Sequence, residues 1–241
     1  VAPGVQEKME ILKKMLRLSF TTEVEYRRFG SKHDGGYVLV NDLSKNDFIV
    51  SCGIETNVDW EMDISTLVWG INAYDNSIDE LPKKIDNCVF YKKTISKDVF
   101  VSDLVKDADK NKDLILKVDV EGAEWGLFND FPDLSRFRQI IGEFHGLVHA
   151  IEDDIFFNIV CGSLSNLNKT HFPVFIHGNN YGGGKDFFGS HIVDVVEILY
   201  LRKTDYVHFY GKMNFDRLLS TNCPCGCPKE EMKFVDITHE K

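Results

Sequence analysis

Short apolar runs recur along this chain with segments of helical spacing between them, and that alternation constrains the fold more than any other feature. Runs at 48–52, 68–74, 89–94, 114–118, 139–144, 174–177 and 195–202 have the length and residue content of strands. Between them, 102–108 and 152–167 space their apolar residues as helices do, the second through Ile155, Phe156, Ile159, Val160 and Leu164. Strand and helix in alternation require crossover connections, which build a mainly parallel sheet with helices on both faces. A ligand of such a sheet sits outside the carboxyl ends of the strands, near the point where strand order reverses. Function is therefore sought in what each strand carries at its C-terminal end.

Composition narrows the classes. With 241 residues, 43% of them apolar, the chain can bury the core of one large α/β domain. That domain is expected over 29–210, with a helical segment over 1–28 packed on it and a tail over 211–241. The 28 basic residues against 38 acidic ones leave a charge of −10, which argues against a nucleic-acid partner. No apolar run approaches the ~20 residues needed to span a bilayer. The first residues lack the compact apolar core of a signal peptide and read as an amphipathic helix, with Met9, Leu12, Met15 and Leu16 on one side. Cys52, Cys88 and Cys161 fall singly in apolar surroundings, as small buried thiols do, and unpaired thiols point to the cytoplasm. Cys223, Cys225 and Cys227 alternate in NCPCGCP, but without a fourth ligand the segment reads as a Pro- and Gly-rich loop before a zinc site or a disulfide. Oligomeric state leaves no signal.

The first strand ends in VSCGIETNVDWE, where Gly53 permits a sharp turn and Glu55, Asn57 and Asp59 follow. The second ends at Asp75, about twenty residues on, where a ribose-binding carboxylate sits in nucleoside-binding sheets; the bland alternative is a turn started by Asp75, Asn76 and Ser77. The run LILKVDVEGAEWGLF releases Asp119, Glu121 and Glu124 within six positions. Glu124 is explained by the helix that follows, since an acid in a first turn is favourable against the macrodipole. Asp119, on the strand side of the turn, is explained less well that way. Glu143 and His145 end the next strand on one side, because they are two apart. Two acids beside a Glu-x-His pair suit a general base with its orienting acid, a divalent-cation site, or recognition of a polar ligand. His177, Asn179 and Asn180 end a sixth strand in the same way.

These residues carry a resemblance. DLILKVDVEGAEWGLF resembles the strand-four signature of FkbM-type S-adenosylmethionine-dependent methyltransferases, and FGSKHDGGYVL resembles the D-G-G-Y element of their methyltransferase-like branch. VSCGIETNVDWE, AYDNS, IIGEFH, HGNNYG and VVEILYLRK are similar to the glycine motif, second-strand acid and later strands, so the likeness spans most of 29–203. It implies a Rossmann-like class I methyltransferase fold with a seven-stranded, mainly parallel sheet. It implies that S-adenosylmethionine contacts Gly53, Glu55, Asn57, Asp75, Asn76, Ser96 and Asp119. Asn57 and Asn76 stand where the branch often has an acid and a proline. Acceptor contacts are implied for Asp34, Tyr37, His177, Asn179, Asn180 and Tyr181. The expected activity is O-methylation of a sugar, glycan or small-molecule hydroxyl, with His145 as base oriented by Glu143. Asp119 or Glu121 is the alternative, alone or through a divalent metal. No metal is assigned, although Asp119, Glu143 and His145 are placed to hold one. Other readings are N-methylation, a metal-dependent sugar- or phosphate-handling enzyme using Asp119 and Glu121, and a binding module without turnover.

Overall fold

A computed structural model describes residues 2–21, 24–96, 104, 108, 111–131, 133–179 and 182–209. The expected helix at 102–108, the cysteines of NCPCGCP and the 211–241 tail lie outside the described residues or almost wholly so. The central sheet contains β4 (Asp47–Cys52), β5 (Gly70–Asp75), β6 (Cys88–Lys92), β7 (Asp113–Val118), β8 (Phe137–His145), β9 (His171–Gly178) and β12 (Val195–Arg202). Their order is β6-β5-β4-β7-β8-β12-β9. The first five pair in parallel, and β12 runs antiparallel to both neighbours. This is the Rossmann-like class I methyltransferase fold. Strand order reverses between β4 and β7, which puts the expected ligand cleft beyond Cys52 and Val118.

Both faces are covered, so the strands read as nearly continuous apolar runs. Phe48, Val50, Leu114, Leu116 and Ile140 face one core, shared with α1 (Val5–Met15), α3 (Glu124–Asn129), α4 (Leu147–Glu152) and α5 (Asp154–Thr170). Ile49, Ile71, Ile115 and Ile141 face the other, where Trp60 and Ile64 of α2 (Asp59–Ser65) pack. The helix expected over 152–167 is α5, and the shorter α4 that precedes it was not expected. Asp153 breaks them because its backbone is extended and its side chain accepts from Phe156 N, capping α5.

The second face is also covered by a hairpin that the periodicity did not predict, β2 (Tyr26–Gly30) with β3 (Gly36–Val40). Phe29, Tyr37, Val38, Leu39 and Val40 are all buried in the second core. The buried Gln139 of β8 takes up the peptide of Val40, accepting from its N–H at 2.9 Å and donating to its carbonyl at 3.3 Å. Gly30 N donates to Asp63 Oδ2 at 2.9 Å, which ties the hairpin to α2. The boundary expected between 28 and 29 therefore falls inside β2, and the hairpin belongs to the core.

Two further pairs complete the described strands: β1 (Phe20–Thr21) with β13 (His208–Phe209), and an arm of β10 (Gly184–Phe187) with β11 (Ser190–Val193). At the opposite end of the sheet from the cleft, buried Arg138 holds Asp47 through two nitrogens at 2.5 and 2.9 Å and Asp42 at 2.7 Å. Among the described residues, no helix is long and apolar enough to cross a membrane.

Candidate active site

A cavity of about 320 Å3 opens beyond the carboxyl ends of β4, β7 and β8. It is lined by Gly53, Glu55 and Asn57 from the loop after β4, by Asp119 and Glu121 after β7, by Glu143 and His145 of β8, by Asp34 and Tyr37 of the hairpin, and by Asn179. Asp75, Asn76, Ser96 and His177 do not line it. Asn180 and Tyr181 lie outside the described residues. Parallel register explains the convergence: β7 neighbours both β4 and β8, so their exits meet.

Tyr37 connects two of the acids. Its hydroxyl lies 2.7 Å from Asp119 Oδ2 and 3.3 Å from Glu143 Oε2. Burial, then the charges of Asp119, Glu143 and Glu197, push its ionisation well above the usual phenol range, so it remains a donor. Glu143 Oε1 accepts from Asn179 Nδ2 at 3.0 Å. Burial, together with the charges of Asp119 and Glu197, raises the Glu143 carboxyl well above its ordinary value. Asp119 is raised too, by burial, against the opposing pull of Lys117, the Tyr37 hydroxyl and His145. Its Oδ1 is buried without a hydrogen-bond partner. Glu121 is raised by burial and by Asp119. Too many carboxylates share too little water for all of them to ionise independently.

His145 is oriented differently from the expectation. Its Nδ1 lies 3.2 Å from Glu124 Oε1, whereas Glu143 Oε1 is 3.7 Å from Nε2 and Glu121 Oε2 is 3.5 Å from it. Burial opposes its charge, but the hydrogen bond and charge of Glu124, then Glu143 and Asp119, raise it to about 9. That rise favours the protonated, donating ring in the ligand-free protein. Glu124 is correspondingly more than a helix-start charge. It is fully buried and accepts from Val120 N at 2.9 Å and Gly122 N at 3.1 Å, closing the turn in which Glu121 and Gly122 take positive φ. The raised pKa makes His145 stabilising below about 6.5, its unfolded value. That contribution is lost as pH rises through about 9. In EDTA-treated protein, Glu124→Gln is expected to bring the His145 titration, followed by the NMR shift of its ring carbon, down by a unit or more. An unchanged midpoint would remove Glu124 as the cause.

Lys117 was missed, because a lysine within a strand is usually a surface residue. Here it is only 5% exposed. Its Nζ donates to Gly53 O, lies 3.9 Å from Glu61 Oε1, and stands 5.2 Å from the centre of the Tyr37 ring. The signal was available, since a charge inside an otherwise apolar run is either exposed or paired.

Two expected cofactor contacts have local work to do. Asp75 Oδ2 accepts from Ile54 N at 2.7 Å and Glu55 N at 2.8 Å, while Oδ1 accepts from Ser77 N and Oγ at 2.6 and 2.7 Å. Against the cost of burial, these donors hold the carboxyl below its usual value. All four of its acceptor positions are taken, so Asp75 clips the loop after β4 and offers no free oxygen to a ribose in this conformation. Asn57 receives Asp59 N at 3.0 Å at the start of α2 and donates to Asp34 O at 3.2 Å, joining that helix to the hairpin turn. Gly53 is required by packing, since a Cβ there would lie 1.5 Å from Asp119 O. His177 is buried with Nδ1 3.7 Å from Glu197 Oε1, behind the site. Cys52, Cys88 and Cys161 are free, and burial pushes the thiols of Cys52 and Cys88 up to about 12, as expected of unreactive sulfurs.

No protein-family model and no curated protein matches the sequence. Solved structures do. A dimethyladenosine transferase from Plasmodium falciparum is similar with a TM-score of 0.42 and 14% identity, over 72% of this chain and 61% of that one. An rRNA methylase from Streptococcus thermophilus gives 0.42 and 10%, over 66% and 89%. A Streptococcus mutans protein solved in complex with SAH gives 0.38 and 10%, over 66% and 88%. The chain thus spans less than two thirds of the first of these. The fold assignment rests on the strand order.

Proposed function

We propose that the chain is an S-adenosylmethionine-dependent methyltransferase of the FkbM type that methylates a hydroxyl of a sugar, glycan or small molecule. The observation that supports this best is the convergence of Asp119, Glu121, Glu143, His145 and Tyr37 on one cavity beside the Gly53–Glu55 loop, at the reversal of strand order. The residues fit the amino-acid and sulfonium end of the cofactor, since the glycine turn exposes backbone and the acidic walls favour a cation. The ribose end requires Asp75 to release donors of its own loop. When bound, S-adenosylmethionine supplies a methyl group activated for displacement.

The protein's part is to hold the acceptor in line and to remove its proton. Asp119, held by Tyr37, positions the acceptor, while the charged His145 donates to its oxygen. Glu121 is the proton acceptor. It stands at the open side with its carboxyl raised toward the working range. The excess of carboxylates disfavours an acceptor with phosphate close to the reacting hydroxyl, and a nucleic-acid backbone with it.

S-adenosylhomocysteine at a hundred times its Kd is expected to stabilise the protein by about 2.7 kcal/mol. A labelled-methyl screen across neutral glycans, nucleotide sugars and sugar phosphates is expected to find its acceptor among the first group. Glu121→Gln should lower the rate by roughly 10^2-fold or more, as loss of a general base does, with S-adenosylhomocysteine affinity unchanged. Absence of any S-adenosylhomocysteine binding would end this reading.

A further inference from the structure

The turn that follows β7 and the end of β8 bring Asp119, Glu124 and His145 together so that one donor atom from each lies within 4.8 Å of the others. We propose that these three side chains hold a divalent cation, with open coordination positions facing the cavity. Donor atoms about 2.1 Å from a metal stand roughly 3 to 4.2 Å apart in octahedral geometry. The 3.2 Å between His145 Nδ1 and Glu124 Oε1 falls in that span. Asp119, carrying its second oxygen on Tyr37, completes the group with a small closure of the turn.

Three features distinguish this group from an ordinary acid–histidine pair. Asp119 Oδ1 is buried and accepts no hydrogen bond, an arrangement that costs free energy unless something not donated by the protein binds there. Glu124 is fully buried and fixed by Val120 N on Oε1 and by Gly122 N, which is shared between Oε1 and Oε2 at 3.1 Å each, so that a position on Oε1 is left for the ion, as ligating carboxylates are held by their own hydrogen bonds. The second ring nitrogen of His145 faces Glu143 and Glu121 at 3.7 and 3.5 Å, so a carboxylate stands behind the imidazole on the side away from the proposed ion. One imidazole with two carboxylates suits Mn2+ or Zn2+ better than Ca2+. Only its role in catalysis depends on the methyl-transfer reading, where the ion, on displacing the His145 proton, would take over from the charged ring in orienting the acceptor oxygen. Binding of the ion does not.

The test is a titration of the EDTA-treated full chain with Mn2+, followed by the loss of the free-ion EPR signal, on samples that are also titrated calorimetrically with S-adenosylhomocysteine. One saturable equivalent is expected. Asp119→Asn should weaken it at least tenfold, and Glu124→Gln comparably. Asp86→Asn, on the exposed side of the molecule, should leave it unchanged. Asp119→Asn preserves shape, and its melting curve checks that it folds. No saturable Mn2+ binding, or equal binding by Asp119→Asn and Asp86→Asn, overturns the site. S-adenosylhomocysteine binding without Mn2+ binding removes the ion alone, and the reverse removes the methyltransferase reading alone.

Discussion

Lys117→Met is expected to destabilise the protein by about 3 to 5 kcal/mol, the range for stripping one partner from a buried pair. The lysine is held between Gly53 O, Glu61 and the face of Tyr37. Methionine matches its volume and still packs on the ring, so the change isolates the charge. What remains is Glu61, 1% exposed, with the Ser51 hydroxyl donating to Oε1 at 2.6 Å and Oε2 without a partner. Asp119 loses the nearby cation that opposes the rise in its pKa. Urea unfolding measures the effect. Glu61→Gln in the same chain should recover a large part of it, because the two residues are coupled. A loss below 1 kcal/mol would mean that the ammonium is solvated, not buried.

Gly53→Ala is expected to cost about 2 to 5 kcal/mol, from roughly 1 to 2 for the left-handed backbone and 1 to 3 for overpacking. Gly53 has φ +81°, and the added methyl would sit 1.5 Å from Asp119 O. Because that carbonyl belongs to the residue that follows β7, relief moves the floor of the cavity. S-adenosylhomocysteine affinity should therefore fall along with the melting temperature. Gly122→Ala is the control. It has φ +101° but nothing within 4 Å of its Cβ, so it should show the backbone cost without the displacement. Equal losses in the two variants would show that the close approach is unimportant.

The sheet was legible because β4, β7 and β8 are covered on both faces and announce themselves as apolar runs. The strand ends were legible because parallel register carries their exits to one place. Lys117 escaped because burial of a charge depends on partners 64 and 56 positions away, Gly53 and Glu61, which no local pattern reports. Glu124 was assigned to its helix for a sound local reason. Its contacts to Val120 and Gly122 exist only once the turn has closed, and His145 joins it only across the sheet. The β2–β3 hairpin was hidden for another reason. Its first strand, Tyr26–Gly30, carries two arginines and buries only Phe29, so no apolar run marks where the hairpin begins.

That hairpin also bears on the order in which the molecule is made. Tyr37 meets Asp119 and Glu143 across 82 and 106 positions, and the sheet face that Phe29, Val38 and Leu39 cover is unfinished until β8 has been synthesised. A nascent chain therefore carries an uncovered apolar hairpin for all the time it takes to make the residues between Val40 and His145. Contacts of such long range are slow to form, and exposed strands invite association in the meantime. The segment that completes the cavity is thus also the one for which a chaperone has most to do.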